Sequence, residues 1–332
     1  MRLAVTGATG FVGGALCRAA VARGWQVTAF GRRATADPDH IGGAAYVGWD
    51  VGRGPFPDPP EVDAVAHCAA QATDAGSSRQ VWAANMTGTR HVLASFPRAR
   101  LVHLSTASVY DPFRPTVRGV ESDAPVRRYL NPYAASKAAA ERVVRNAVAA
   151  GREAVVLRPH AIYGPNDTTL LPRLLANVRA GRLLAVGDGR PLISVTHVDN
   201  LVDACLLAIT GPVRSGVFNV ADDGVLTVDE ALRGLLRGAG VRVRLAYVPT
   251  WLARPLAVLS ESVRRVRDDP RPVRLNRYLI SQLAMERTLD ISAARRELRY
   301  HPRGTSFEGV SAGSDRAQDS TGSDETQNEG KR

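Results

Sequence analysis

The chain has 332 residues, with 43 Lys plus Arg against 32 Asp plus Glu, for a formal net charge of +11 at pH 7. A hydrophobic fraction of 45% supports a packed core and excludes a wholly disordered chain. No apolar run reaches the roughly 18–20 residues that span a bilayer, and three scattered cysteines (Cys17, Cys68, Cys205) make neither a disulfide framework nor a metal site.

In chain order, Leu3-Ala4-Val5 reads as a short buried strand. A Gly-rich turn and a helix over residues 11–23 follow. Strands are expected at 26–30, 44–47 and 64–67, then a helix over 80–95 and a strand over 101–105. A helix over 132–150 and a strand at 154–157 complete the alternation. Short apolar strands alternating with helices imply an α/β fold, a Rossmann-like doubly wound parallel sheet covered on both faces. After Arg158 the prolines at 159, 165, 172, 191, 212, 249 and 255 loosen the pattern and mark a smaller C-terminal substrate-binding region. We divide the chain into a dinucleotide-binding domain over 1–158, its sheet completed by parts of 190–222, and a mainly substrate-binding region over 159–310. Residues 311–332 hold almost nothing apolar and read as a disordered tail. The N-terminus reaches a turn too soon for a signal peptide, so a cytoplasmic, reduced protein is expected.

The excess of base has two readings. One is a polyanionic partner. The other is coding bias, since 41 of the 43 bases are arginine and only Lys137 and Lys331 are lysine. The sequence has no zinc-finger spacing, RNA-binding aromatic motif or basic zipper, so no nucleic-acid partner is expected.

Thr6-Gly7-Ala8-Thr9-Gly10-Phe11-Val12-Gly13 sits directly between the first strand and the first helix. Glycines there permit a tight turn and a close approach of backbone to a pyrophosphate, which the helix N-terminus then attracts. The second strand ends Phe30-Gly31-Arg32-Arg33, with no acid to accept a ribose 2′-hydroxyl. Arg32 and Arg33 fit the 2′-phosphate of NADP, with NAD the alternative. Asp50 either accepts the adenine amino group or caps its own loop.

Tyr133 and Lys137 are i and i+4 on one helix face. A nearby ammonium, with the oxidised nicotinamide, lowers a phenol toward working pH and makes it a general acid/base. Upstream, Ser105, Thr106 and Ser108 cluster at a strand end, and any of the three hydroxyls could hold a substrate oxygen.

These residues resemble the extended short-chain dehydrogenase/reductases over residues 1 to about 310. The resemblance rests on residues 6–13, Asp50, His67-Cys68-Ala69-Ala70, Asn85-Met86-Thr87-Gly88-Thr89, residues 105–110 and Tyr133 with Lys137. Arg158-Pro159, Tyr163-Gly164-Pro165, His197-Val198-Asp199-Asn200 and Phe218-Asn219-Val220 extend it. It implies that Thr106 is the catalytic hydroxyl, Tyr133 the acid/base, and Lys137 the residue that binds the nicotinamide ribose and tunes the tyrosine. It further implies that Val51, Cys68, Ala69, Ala70, Asn85 and Pro159 lie along the cofactor. A homodimer through helices 80–95 and 132–150 also follows from the family, and no metal does.

Departures from the family pattern narrow the branch. Dehydratases carry Asp-Glu directly after the catalytic Thr, where this chain has Ala107-Ser108, so dehydration is not expected. Sugar-nucleotide enzymes carry an Asn before the Tyr-Gly-Pro stretch and an Arg after Gly-Asp-Gly. Here Ala161 and Ile193 occupy those positions, with Arg190 three residues from the second. Residues 170–175, the turns at 181–183 and 187–189, and Asn276-Arg277-Tyr278-Leu279 are instead similar to 3β-hydroxysteroid dehydrogenase-like proteins, particularly bacterial 2-alkyl-3-oxoalkanoate reductases. That similarity implies an apolar ketone or secondary alcohol, steroid-like or 3-oxoacyl-like. A nucleotide-sugar epimerase or reductase and a non-catalytic NADP-binding regulator are the alternatives. Residues 245–259 are strongly apolar and precede Arg264, Arg265 and Arg267. They read as a substrate lid with peripheral membrane contact, or as core packing of the smaller region.

Overall fold

A computed structural model describes residues 1–71, 77–267 and 275–312, with backbone alone for 263–267. The expected tail beyond 312 and the arginine side chains at 264, 265 and 267 lie outside the described residues.

Seven parallel strands form the main sheet, in the order Ser215–Val220, Ala154–Pro159, Arg100–Leu104, Ala64–His67, Arg2–Thr6, Gln26–Gly31, Ala45–Gly48. The central strands Ala64–His67, Arg100–Leu104 and Ala154–Pro159 are buried at every residue. They are covered on both faces, which is why they read as apolar runs instead of alternating. Helices Phe11–Val21 and Val198–Thr210 pack on one face around Leu3, Val5, Leu16, Leu201 and Phe218. Helix Pro132–Ala149 and the segment 78–95 cover the other, around Phe30, Val65, Val92, Leu101 and Val144.

The helix expected over 80–95 is interrupted. It runs as Ser78–Trp82, a π-turn at Ala83–Thr87, and Gly88–Ser95. A Cβ on Gly88 would stand 2.8 Å from Val51 Cγ2, so the chain passes close to the sheet there. The wider turn carries Asn85 fully inward.

Beyond residue 159 a second core forms around Tyr163, Leu171, Ile193, Val195, Leu232 and Leu235. Helix Val228–Gly238 closes it, started by a Thr227/Glu230 capping box. A four-stranded sheet joins Leu226–Thr227, Leu192–Ile193, Arg287–Leu289 and Thr116–Gly119. The two regions therefore exchange strands. Thr116–Gly119 comes from before residue 158 and serves the small sheet, while Ser215–Val220 comes from after it and serves the large one. The carboxyl ends of Arg2–Thr6, Ala64–His67 and Arg100–Leu104 share one edge, the edge where open α/β sheets bind ligands.

Candidate active site

The first turn is built by close approach. Gly7 has φ +72, and a Cβ on it would stand 2.6 Å from Ala69 N. A Cβ on Gly13 would overlap the Gly7 carbonyl. Only glycine lets the helix start this close to the strand end. Gly10 is the N-cap and no side chain caps it, so the helix N-terminus is left for an anion. Phe11 and Val12 are buried in the core, so they can offer a ligand only their backbone. Thr9 lies beside Gly31 at the end of the second strand. This cradle fits a dinucleotide pyrophosphate.

At its outer rim Arg32 and Arg33 are exposed. Tyr46 holds their loop by donating its hydroxyl hydrogen bond to the Arg33 carbonyl at 2.8 Å. Asp50 accepts from Gly52 N at 2.9 Å and pairs with Arg53 at 3.4 Å, so it caps its own turn. Val51 is buried, and its carbonyl meets His91 Nδ1 at 2.7 Å. Cys68, Ala69 and Ala70 form the loop after Ala64–His67, against Gly7. Pro159 ends its strand opposite Val220.

Tyr133 and Lys137 lie one turn apart on Pro132–Ala149, a helix that Asn131 starts by accepting from Ala134 N. Thr106 neighbours the Tyr133 phenol, and its hydroxyl donates to Ser108 Oγ. The expected lowering of Tyr133 is one that acts with the oxidised nicotinamide bound; the chain alone has its own balance. Burial pushes the phenol up to about 12, neighbouring Tyr278 adds to this, and adjacent Thr106 and Arg173 oppose it. Lys137 is itself driven down to about 8 by burial, against the pull of Glu141. Its Nζ donates to the Leu104 carbonyl at 2.5 Å, at the end of a central strand.

Residues behind this pair fix it. Asn85 Oδ1 accepts from Gln71 N at 2.7 Å, and its Nδ2 donates to Ser136 Oγ at 2.9 Å. The side chain thus ties the loop beside the cradle to the helix carrying Tyr133 and Lys137. One turn beyond Lys137, Glu141 is 2% exposed and pairs with Arg158, 1% exposed, at 2.7 Å. Arg158 also donates to the carbonyls of Glu121 and Ala124. His67 bridges the hydroxyls of Thr6 and Thr89.

The three clustered hydroxyls separate. Ser105 donates to Glu141 at 2.5 Å, away from Tyr133. Thr106 donates to Ser108 Oγ at 3.1 Å, and Ser108 Oγ lies 2.6 Å from the phenol oxygen of Tyr278. Tyr278 comes from helix Arg277–Leu283 in the C-terminal region, as a site neighbour the sequence reading did not assign. Its only sequence signal is its place two residues after the helix cap Asn276.

On the substrate side, Ile193 is buried in the second core and paired with Arg287 and Leu226. Arg190 is exposed. Ala161 has φ +44, a left-handed conformation that an alanine rarely adopts. Among its described side chains, helix Thr250–Arg267 leaves the large apolar ones exposed. It packs Ala253 and Ala257 against Val186 and Ile280, while Trp251 is 74% and Leu259 61% exposed. Core packing therefore accounts for the alanines and leaves the large apolar side chains facing out. Among the described residues no helix is long and apolar enough to cross a membrane, and no group of His, Cys, Asp or Glu could hold a metal ion.

Residues 3–221 match the model of the NAD dependent epimerase/dehydratase family. The 2-alkyl-3-oxoalkanoate reductase of Stenotrophomonas maltophilia (strain K279a) is 34% identical over 330 residues, covering 93% of this chain and 97% of its own. A 4-hydroxy-2-methyl-3-oxo-4-farnesyl-3,4-dihydroquinoline-1-oxide ketoreductase of Stigmatella aurantiaca is 33% identical, covering 94% of this chain and 95% of its own. Among solved structures, MoeE5 in complex with UDP-glucuronic acid and NAD superposes with a TM-score of 0.70 at 24% identity, over 93% of this chain and 96% of its own. That last likeness is one of fold.

Proposed function

The chain belongs to the NAD dependent epimerase/dehydratase family, among the extended short-chain dehydrogenase/reductases of the 3β-hydroxysteroid dehydrogenase-like branch, and we propose that it is an NADP-preferring reductase of an apolar ketone. The observation that carries this is Tyr133, with Thr106 beside its phenol and Lys137 one helical turn later. When bound, the nicotinamide supplies or accepts the hydride. The chain does the rest. Tyr133 Oη gives its proton to the ketone oxygen, or takes one from a carbinol. The Thr106 hydroxyl donates to that same oxygen and holds it beside the phenol. Lys137, fixed by Leu104, presents a cation where a ribose and a developing phenolate both benefit. A phenol pushed to about 12 is fully protonated at neutral pH, the state a reductase needs in its acid.

The substrate class follows from the relatives' chemistry. Both names place a ketone beside an alkyl-bearing carbon, and one carries a farnesyl group. We assign this chain an α-alkylated ketone with a long apolar group. The exposed side of helix Thr250–Arg267 is suited to an acyl chain or a membrane surface. A buried Ile193 in place of an arginine weighs against a nucleotide-sugar substrate.

The test is reduction of a 2-alkyl-3-oxo acid with NADPH by purified protein. Tyr133→Phe is expected to lose about 10²-fold or more in kcat. Full turnover by that variant overturns the reading. Cofactor binding with no hydride transfer to any ketone would favour a regulator, and interconversion of UDP-sugars an epimerase.

A further inference from the structure

Three arginines stand in one rank across a small three-stranded sheet of the C-terminal region. Val178–Arg179 and Arg182–Val186 pair antiparallel with Arg182 opposite Arg179, and Arg244–Val248 pairs parallel with Arg244 opposite Arg182. Residues directly opposite one another share a face, their Cβ atoms about 5 Å apart. Along Arg182–Val186 the burial alternates at first, with Leu183 and Ala185 inward and Arg182 and Leu184 outward, so the rank looks out to solvent. The first two strands join through a two-residue turn, Ala180 at φ +47 and Gly181 at φ +69. Arg244 N donates to the Gly181 carbonyl at 2.9 Å. Turn and bond together fix the register, and with it the rank.

The rank is not neutralised from within. All three arginines are exposed, and the three strands contain no Asp or Glu. Arg179 donates to the carbonyl of its neighbour Val178 at 2.8 Å, and among the described residues no carboxylate pairs with Arg179, Arg182 or Arg244. Arg214, Arg233 and Arg277, exposed elsewhere, each hold a carboxylate. Like charges directly opposite on a sheet are destabilising, so an external anion relieves a repulsion built into this one. Apolar surface accompanies the charge. Leu184, two residues beyond Arg182 on the same face, is 63% exposed. Strand Arg244–Val248 leads through Pro249 into helix Thr250–Arg267, where Trp251, Leu252, Leu256 and Leu259 are exposed. This mixture discriminates among polyanions. Recognition of a nucleic acid calls for aromatic or amide side chains beside the phosphate contacts. The outward positions of the sheet are Arg179, Arg182, Leu184, Arg244 and Ala246, and hold neither. A bilayer takes both parts, guanidinium at the headgroup phosphates and Leu or Trp just beneath them.

We propose that the arginine rank and the exposed side of helix Thr250–Arg267 form a docking surface for an anionic lipid bilayer. Arg179, Arg182 and Arg244 meet lipid phosphates, whose oxygens match the guanidinium fork. Leu184, Trp251 and Leu259 enter the boundary between headgroups and acyl chains. Among the described residues no helix is long and apolar enough to cross a membrane, so the contact is peripheral and reversible. For the ketone reductase proposed above, docking brings the smaller region to the phase in which a long apolar ketone dissolves. The docking itself does not rest on that reading, because it needs neither cofactor nor ketone.

The test is co-sedimentation of the full chain with vesicles of phosphatidylcholine alone and of the same lipid with about 30 mol% phosphatidylglycerol. Wild type is expected to bind the anionic vesicles at least about tenfold more tightly than the neutral ones, and to be released at about 1 M salt. Arg179→Gln, Arg182→Gln and Arg244→Gln combined should weaken anionic binding about 100-fold, close to fivefold per arginine. That triple variant should melt no lower than wild type, because it removes like-charge contacts, and its loss of binding is then not a loss of fold. Should it melt early, each single Arg→Gln variant reads the fivefold step. Trp251→Phe should keep the affinity and lose the blue shift of tryptophan emission that wild type shows on binding. Equal affinity for neutral and anionic vesicles overturns the proposal, as does anionic binding that the triple variant leaves intact. A blue shift that persists in Trp251→Phe removes the helix from the surface. No binding to either vesicle, with salt-dependent retention on duplex DNA, overturns it in favour of a nucleic acid. A wild type that reduces a 2-alkyl-3-oxo acid but ignores vesicles loses only the docking surface, and one that binds vesicles but reduces no ketone loses only the reductase reading.

Discussion

The phenol oxygen of Tyr46 stands 2.7 Å from the place a Cβ on Gly31 would occupy. An acidic side chain at the end of the second strand therefore has no room while Tyr46 holds the Arg33 loop. This geometry and the two arginines after it are what the proposed preference for NADP rests on. Arg32→Ala with Arg33→Ala is expected to raise KM for NADPH at least about tenfold and to leave NADH nearly unchanged. Gly31→Asp alone should lower stability by about 1–3 kcal/mol through overpacking and should not create an NADH enzyme. Steady-state kinetics with both cofactors decides this, and a wild-type preference for NADH would sink the assignment.

Lys137 sets an alkaline limit. Burial brings its ammonium down to about 8, while Tyr133 at about 12 stays protonated far beyond that. The kcat/KM for reduction should be level through neutrality and fall above about pH 8 as Lys137 loses its charge. Glu141 opposes the downward push on Lys137. Glu141→Gln should move the limb to lower pH, and a pH–rate profile identical to wild type would contradict the link.

The Glu141–Arg158 pair is sealed from water, so its parts are worth little singly. Glu141→Gln leaves a buried guanidinium without its countercharge and should cost about 3–5 kcal/mol in a denaturant melt. Replacing both, as Glu141→Leu with Arg158→Met, should recover much of the loss, because no orphan charge remains. A double variant as unstable as the single would mean that the bonds to Glu121 and Ala124 dominate.

Acid should weaken the fold through buried histidines. Burial lowers His67 to about 3, His103 well below its usual range, and His160 less far. All three are neutral in the native state, while unfolded histidines protonate near 6.5. Stability is thus fully present above pH 6.5 and declines as pH falls toward the folded values, by about 1.4 kcal/mol per pH unit per histidine. Among the described residues, both ring nitrogens of His103 lack a hydrogen-bond partner. His103→Leu should flatten the decline and add stability at pH 6, since a buried unsatisfied group costs about 1–3 kcal/mol. Melts at pH 7.5, 6 and 5 measure both effects.

How much of this was readable beforehand depends on range. The main sheet was legible because its central strands carry short apolar runs, Ala64–Ala66, Leu101–Val102 and Ala154–Leu157, a signal held within a few residues. Gly7, Gly10 and Gly13 were legible from their place between a strand and a helix. Tyr133 and Lys137 declare themselves at helical spacing. The π-turn at Ala83–Thr87 was not, since the periodicity of 80–95 fits an unbroken helix and the break answers a tertiary demand at Gly88 and Val51. The choice among Ser105, Thr106 and Ser108 needed partners, Glu141 for the first and Tyr278 for the third. Tyr278 stood in a stretch that marked the family branch, but its place beside Ser108 comes from a contact with the other region and has no local signal. The upward shift at Tyr133 escaped a reading that counted charges, for desolvation is a property of the fold.

The exchange of strands has a consequence for how this chain can be inherited and made. A gene cut at residue 158 would leave Ala154–Pro159 as an unpaired edge, buried along its whole length in the native protein and lacking any charged guard but Arg158. Such an edge invites sheet-to-sheet aggregation. The two regions that exchange strands are thus expected to fold and unfold as one cooperative unit, and neither is a module to be moved onto another protein by itself.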